Sequence, residues 1–231
     1  LDESLPLLKR LTGARIRHEF DQILAESKAP AMLGRCASLG VLQAIHPALP
    51  WNQALAAHLQ DLPTASPDPA WCISNQADHH LSLRQILSYL VWLGRLPEPT
   101  LRSISSRLRF KSNVKRLLID TSKVNQTLTD LPGQKPSEIV HALEKAPRLS
   151  LYAAYHINEA QALREPLWKF VSQWAAITPH TTGDDLRELG LRPSPAYGQI
   201  LTALRDAWLD GEIQSKAEEI TLLNKLVSEI E

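Results

Sequence analysis

Seven cations, Arg102, Arg107, Arg109, Lys111, Lys115, Arg116 and Lys123, stand in one 22-residue window against a single anion, Asp120. Lysine and arginine crowded in this way bind phosphate, with a salt-sensitive affinity that ignores base sequence. Ser103, Ser105, Ser106, Ser112 and Asn113 lie among them and can donate to phosphate or 2′-hydroxyl oxygens. The competing reading is a solvated helix face. Asp78-His79-His80 is a second group whose side chains could do chemistry, because His and Asp ligate metals. It has no HExxH spacing, no His-Asp dipeptide and no second acidic cluster beside it, so it is expected to be the polar start of a helix opening at Leu81. No metal site is expected.

The elements that must position these residues are helices. Apolar residues recur at three and four through nearly every long segment and no strand-like alternation is sustained, so the fold class is all-α: a multi-helix bundle followed by a small helical tail. Leu5, Leu8, Ile16, Phe20, Ile23 and Leu24 suggest a first helix broken near Pro30, and Leu55 with Leu59 a short helix over 53–60. The period returns at Leu81 and continues through helices near 101–110, 114–128, 139–143, 149–156 and 160–177. Residues 61–80, with Pro63, Pro67 and Pro69, read as a loop. Four regions are expected: helices over 1–62, a linker over 63–80, a helical body over 81–178 and a helical tail over 179–231. Thr182 with Asp185, and Ser215 with Glu218, have capping-box spacing and mark two late helix starts. Most of the six Trp residues fall on apolar helix periods and are expected to pack, whereas Trp71 is either a loop anchor or an exposed contact. No clean repeat is present, although short helical pairs would also suit a solenoid.

Composition narrows the function classes. At 231 residues and 44% hydrophobic the chain can bury a core, and its 25 basic and 25 acidic residues cancel. A uniformly basic nucleic-acid binder is thereby excluded, and any polyanion site must come from local clustering. Cys36 and Cys72 stand alone, which argues against a disulfide framework and suits a reducing compartment, the cytoplasm by default. No apolar run approaches membrane-spanning length and Leu1-Asp2-Glu3 is not the basic start of a signal peptide, so no membrane partner is expected.

The stretch Thr12-Gly13-Ala14-Arg15-Ile16-Arg17-His18-Glu19-Phe20, with Leu39-Gly40-Val41-Leu42 and Ile45-His46-Pro47-Ala48-Leu49 after it, resembles the neck and early body of the tRNA nucleotidyltransferase and poly(A) polymerase family. Gly183-Asp184-Asp185-Leu186, Leu189-Gly190, Pro193, Pro195, Gly198, Ile200-Leu201 and Leu209-Asp210-Gly211-Glu212 resemble the C-terminal tail of its bacterial members. The likeness covers 4–49 and 181–213 well and the span between them weakly.

The resemblance implies a neck, body and tail that bind tRNA or another structured RNA, not DNA, while a catalytic head upstream adds nucleotides. A chain opening on Leu1 is accordingly expected to be an excised fragment. Arg15, Ile16 and Glu19 carry the neck motif, and Arg15 and Glu19 lie four apart on one helix face in the weaker, cation-first order. Ala14 departs from the Glu many relatives carry. Gly198 belongs to this tail motif, which reads as a short helix, a tight Gly/Pro turn and a second helix whose N-terminus could seat a phosphate, and Ser194 replaces a Gly common in the turn. The alternative is a helical hairpin that only packs. Nucleotidyl transfer needs acidic residues holding two metal ions beside a Gly-Ser turn, and neither pattern exists here, so no catalytic residue is expected. Mg2+ and CTP or ATP are expected for the head and no cofactor for this chain. CCA addition, A addition and poly(A) tailing all remain open, as does a helical protein-interaction module whose basic stripe meets an acidic protein.

Overall fold

A computed structural model describes residues 5–63, 66–73 and 81–228. Asp78, His79 and His80 lie outside the described residues. The described chain is all helical: α1 Gly13–Ala25, α2 Ala29–Ser38, α3 Val41–Ile45, α4 Gln53–Gln60, α5 Leu83–Leu93, α6 Glu98–Leu108, α7 Ser112–Thr127, α8 Pro136–Leu143, α9 Arg148–Ile157, α10 Gln161–Ser172, α11 Gly183–Glu188, α12 Pro195–Leu209 and α13 Lys216–Ser228, with short 3-10 turns such as Leu5–Arg10. No described helix is long and apolar enough to cross a membrane.

The chain divides into two compact units, one of residues 1–130 and 146–167, the other of 131–145 and 168–231. In the first, α5 is the axis. Its side chains from Ile86 to Leu93 are all buried, the all-round burial of a helix enclosed by others, here α1, α4, α7 and α9. Ser82 starts it with a capping box shared with Gln85. Trp92 stacks edge-on against Phe20 of α1 and donates Nε1 to the Pro50 carbonyl at 2.8 Å, so a core aromatic also ends the segment before α4.

One local expectation holds and one is corrected. The first helix does end near Pro30, at Ala25, and Pro30 itself occupies the first turn of α2, where its missing N–H costs no bond. The apolar run before α1 is not part of that helix, because Thr12 caps α1 and the residues before it form the separate 3-10 turn. Trp71 is the loop anchor: it is 2% exposed and meets Tyr152 and Tyr155 of α9 at 5.0 and 5.3 Å between ring centroids.

In the second unit, Leu186, Ile200, Leu204 and Leu223 make the core. Glu219 of α13 is 1% exposed. Its carboxylate accepts from the backbone N–H of His180 and Thr181, the Thr181 hydroxyl and Trp208 Nε1, tying the strap before α11 to α12 and α13. Asp210, at the end of α12, accepts from the Ser137 N–H and hydroxyl at 2.9 and 2.8 Å, which docks the start of α8 there.

Candidate nucleic-acid interface

The basic window forms the end of α6, a tight turn and the first half of α7. Phe110 N–H reaches back to the Ser105 carbonyl and Arg109 N–H to that of Ser106, the paired bonds of a Schellman closure. The residue at its centre must adopt a left-handed backbone, and here it is Arg109, at φ +52°. The same closure ends α11 and α12, where Gly190 and Gly211 take that position at φ +83° and +73°. An L-residue there costs roughly 1–2 kcal/mol that glycine avoids. An arginine retained at that cost points to a use for its side chain. Arg109→Gly is expected to raise stability by about 1 kcal/mol in urea unfolding while weakening RNA binding; destabilisation would show that the side chain serves the fold.

Charge is misplaced for stability at the other side of the turn. Lys111 stands at the N-cap of α7 without a side-chain capping bond, and Lys115 comes one turn later. Both cations lie near the positive end of the helix dipole, and their four-residue spacing sets like charges side by side. An anion relieves both conflicts.

Structure sorts the seven cations. Arg102 donates Nε to Glu98 at 2.8 Å and Lys123 lies 3.7 Å from the same carboxylate, so these two share one anion; hydrogen bonding from Arg102 holds the Glu98 carboxyl below its ordinary range. Arg107 is spent on the fold. Its Nε donates to the Ile45 carbonyl at 3.2 Å, Nη1 to Leu11 at 3.3 Å and Nη2 to Leu8 at 3.1 Å. Arg109, Lys111 and Arg116 are exposed and Lys115 half-buried, and among the described residues none of the four has an ion-pair partner. Of the candidate hydroxyls, Ser106 and Ser112 are exposed, Ser103 shares a 2.9 Å bond with His46, and Ser105 is buried and does not face solvent. His46 Nδ1 accepts from the Ala48 N–H, which leaves Nε2 as the protonated donor to Ser103, so this pair is not a base and its nucleophile.

The neck segment holds this turn in place. Gly13 opens α1 against the last turn of α6, and a Cβ there would sit 1.9 Å from the Arg107 carbonyl oxygen, so only glycine permits the approach. Arg17 Nη1 donates to the Arg109 carbonyl at 2.6 Å and pairs with Asp21 at 3.6 Å. Asp21 accepts from the Tyr89 hydroxyl at 2.8 Å, and its carbonyl accepts from Gln85. Burial raises the Asp21 carboxyl above its ordinary value against the pull of Tyr89 and Arg17, and burial beside Asp21 carries the Tyr89 phenol well above its own. Of the neck residues singled out in the sequence, Ile16 is a core residue at 4% exposure, while Arg15 and Glu19 are exposed and form no ion pair among the described residues. The working pair is Arg17 with Asp21, at the same spacing. A signal existed for it, since Gly13, Arg17 and Asp21 form the helix row adjoining the buried row Ile16, Phe20 and Leu24.

The tail turn belongs to the other unit. Thr182 and Asp185 form the expected capping box, with the Thr182 N–H on Asp185 at 2.6 Å, and hydrogen bonds from Thr182 hold that carboxyl low. Tyr197 bonds the Leu191 carbonyl at 2.7 Å and closes the Gly/Pro turn. Ser194 caps α12 by accepting from the Ala196 N–H at 3.3 Å, which occupies one of the donors a phosphate would use. Gly198 is exposed and a Cβ there would meet open space, so packing does not require glycine. Among the described residues no cluster of His, Cys, Asp or Glu could hold a metal.

Comparison with known proteins bears on this geometry. Residues 1–52 match a family model described as "Probable RNA and SrmB- binding site of polymerase A". An A-adding tRNA nucleotidyltransferase of Geobacter sulfurreducens is 26% identical over 229 residues, spanning 95% of this chain and 25% of that protein. A Thermotoga maritima CCA-adding enzyme solved with tRNA superposes with a TM-score of 0.68 at 17% identity over 98% of this chain and 53% of its own. A CCA-adding enzyme solved with ATP gives 0.69 at 15% identity over 99% and 54%. This chain thus spans about a quarter of the curated relative and about half of the solved enzymes. The likeness read from the sequence, to the neck, body and tail portion of the tRNA nucleotidyltransferase and poly(A) polymerase family, holds, and the fold is the all-α fold of that portion of CCA-adding enzymes.

Proposed function

We propose that this chain, which carries the neck, body and tail fold of CCA-adding enzymes, is the tRNA-binding region of a tRNA nucleotidyltransferase. The observation that carries the reading is the α6–α7 turn, where four cations without ion-pair partners among the described residues gather at the positive end of a helix, fastened to the segment that matches the RNA-binding model. Their donors suit the phosphate backbone of a folded RNA, which is recognised by shape and charge before sequence. The nucleotidyl-transfer chemistry, with Mg2+ and CTP or ATP, is assigned to a catalytic head acting on the same RNA, as this chain spans only about half the length of the solved CCA-adding enzymes it resembles. The cysteines Cys36 and Cys72 are unpaired, in keeping with a cytoplasmic setting.

Fluorescence anisotropy with tRNA lacking its CCA end, across a salt series, tests this. Four phosphate contacts give a log–log slope of about −3 to −4 against salt. An acidic protein should not compete. Displacement of the RNA by that competitor, or no binding at about 50 mM salt, would overturn the reading in favour of a helical protein-interaction module.

A further inference from the structure

Arg107 sits in the middle of the basic window, yet its guanidinium faces inward. Its Nε, Nη1 and Nη2 all donate to backbone carbonyls, those of Leu8 and Leu11 before α1 and of Ile45 at the end of α3. These acceptors belong to two segments far apart in sequence, and one planar donor group joins both to the last turn of α6. Its own carbonyl is the atom against which Gly13 packs. Two residues further on, the Arg109 carbonyl receives Arg17. The last turn of α6 is therefore clamped from both sides by residues of the first 52, and the turn it clamps carries Arg109 in its left-handed conformation with Lys111, Lys115 and Arg116 directly beyond.

We infer that Arg107, with Gly13 packed on its carbonyl, is a positioning residue that orients the Arg109–Arg116 cations for RNA, and is not itself a phosphate ligand. The inference rests on the proposed RNA-binding reading and assigns a different role to one cation of its stripe. The physical reason is preorganisation: a turn fixed against a packed helix presents its charges without an ordering cost on binding. A phosphate ligand would need its donor fork turned to solvent, whereas Nε, Nη1 and Nη2 of Arg107 each already donate to a carbonyl of the protein itself, which takes three of its five N–H groups.

The experiment compares wild type, Arg107→Lys, Arg107→Met and Gly13→Ala in the same tRNA anisotropy series, run well below each variant's melting temperature. Arg107→Lys keeps the charge, but its three donors sit on one nitrogen and cannot span carbonyls that meet three separate guanidinium nitrogens, and Gly13→Ala alters no charge at all. Both are expected to lose about tenfold in affinity while keeping the wild-type salt slope, and Arg107→Met is expected to match Arg107→Lys. An arginine that only supports the fold would lower the melting temperature and leave the affinity of the folded protein unchanged, which would overturn the inference. So would wild-type binding by Arg107→Lys together with a slope reduced by about one counterion in Arg107→Met, the mark of a direct phosphate contact. If Gly13→Ala does not fold, Arg107→Lys decides. Failure of the wild type to bind tRNA at any salt would instead sink the functional reading, so the two failures are distinguishable.

Discussion

Replacing Arg109, Lys111, Lys115 and Arg116 together by Glu is expected to cut tRNA affinity about a thousandfold at about 0.1 M salt, because each of the four counterion releases lost removes roughly a factor of five to eight at that concentration. None of the four makes an ion pair among the described residues, so the helix content and melting temperature of the variant should hold or rise. The fall should shrink steeply as salt increases. Arg102→Glu with Lys123→Glu is the matched control: the same sign of change in the same window, but at cations already sharing the Glu98 carboxylate, with an expected loss of less than about tenfold. Equal losses per reversed charge in the two variants would show that the whole window acts as diffuse charge. Unchanged binding in the fourfold variant would remove the turn from the site. Arg107 is left out of the set because reversing it would place a carboxylate against three backbone carbonyls.

Glu219→Ala is expected to destabilise the second unit by roughly 3 kcal/mol, since truncation strands several buried donors at once. Those donors are the His180 and Thr181 N–H groups, the Thr181 hydroxyl and Trp208 Nε1, around a carboxylate 1% exposed. Burial pushes the Glu219 carboxyl upward, but hydrogen bonds from Thr181, Trp208 and the His180 backbone outweigh it and leave the carboxyl below the ordinary glutamate value of 4.5. The unfolded chain then binds the proton more readily than the folded one. The contribution is complete above pH 4.5 and disappears as pH falls through the lower folded value. Hydrogen exchange at the Thr181 amide reads this directly. Protection should drop in wild type on acidification, and in Glu219→Ala it should be low near neutral pH and insensitive to acid. Wild-type protection in the variant would mean that the strap before α11 is held by packing alone.

Much of the fold is legible in the sequence because its determinants are local. The capping box at Thr182, the short helix over Gln53–Gln60 and the turns after Leu189 and Leu209 each depend on residues close together in the chain. Pro30 marks a helix boundary for a reason that is also local: proline is excluded from a helix interior but tolerated in the first turn, so it falls just inside the start of α2. The resemblance at 12–49 and 183–212 is legible as pattern, but its causes are not. Gly13 is there because the Arg107 backbone, far along the chain, lies against it, and nothing around Gly13 in the sequence says so.

Helical character, most helix boundaries, the balance of charge and the gathering of phosphate-binding capacity in one window can all be read from the order of the residues. Which charges in that window remain available is settled only by the packed molecule. Arg107 meets carbonyls 62, 96 and 99 residues away, and Arg17 reaches a carbonyl 92 residues on, so the inward cation and the outward four look alike in sequence. Charge adds up along a chain, but whether a charged group is free depends on which backbone groups folding brings within about 3 Å of it, and those are supplied by long-range packing.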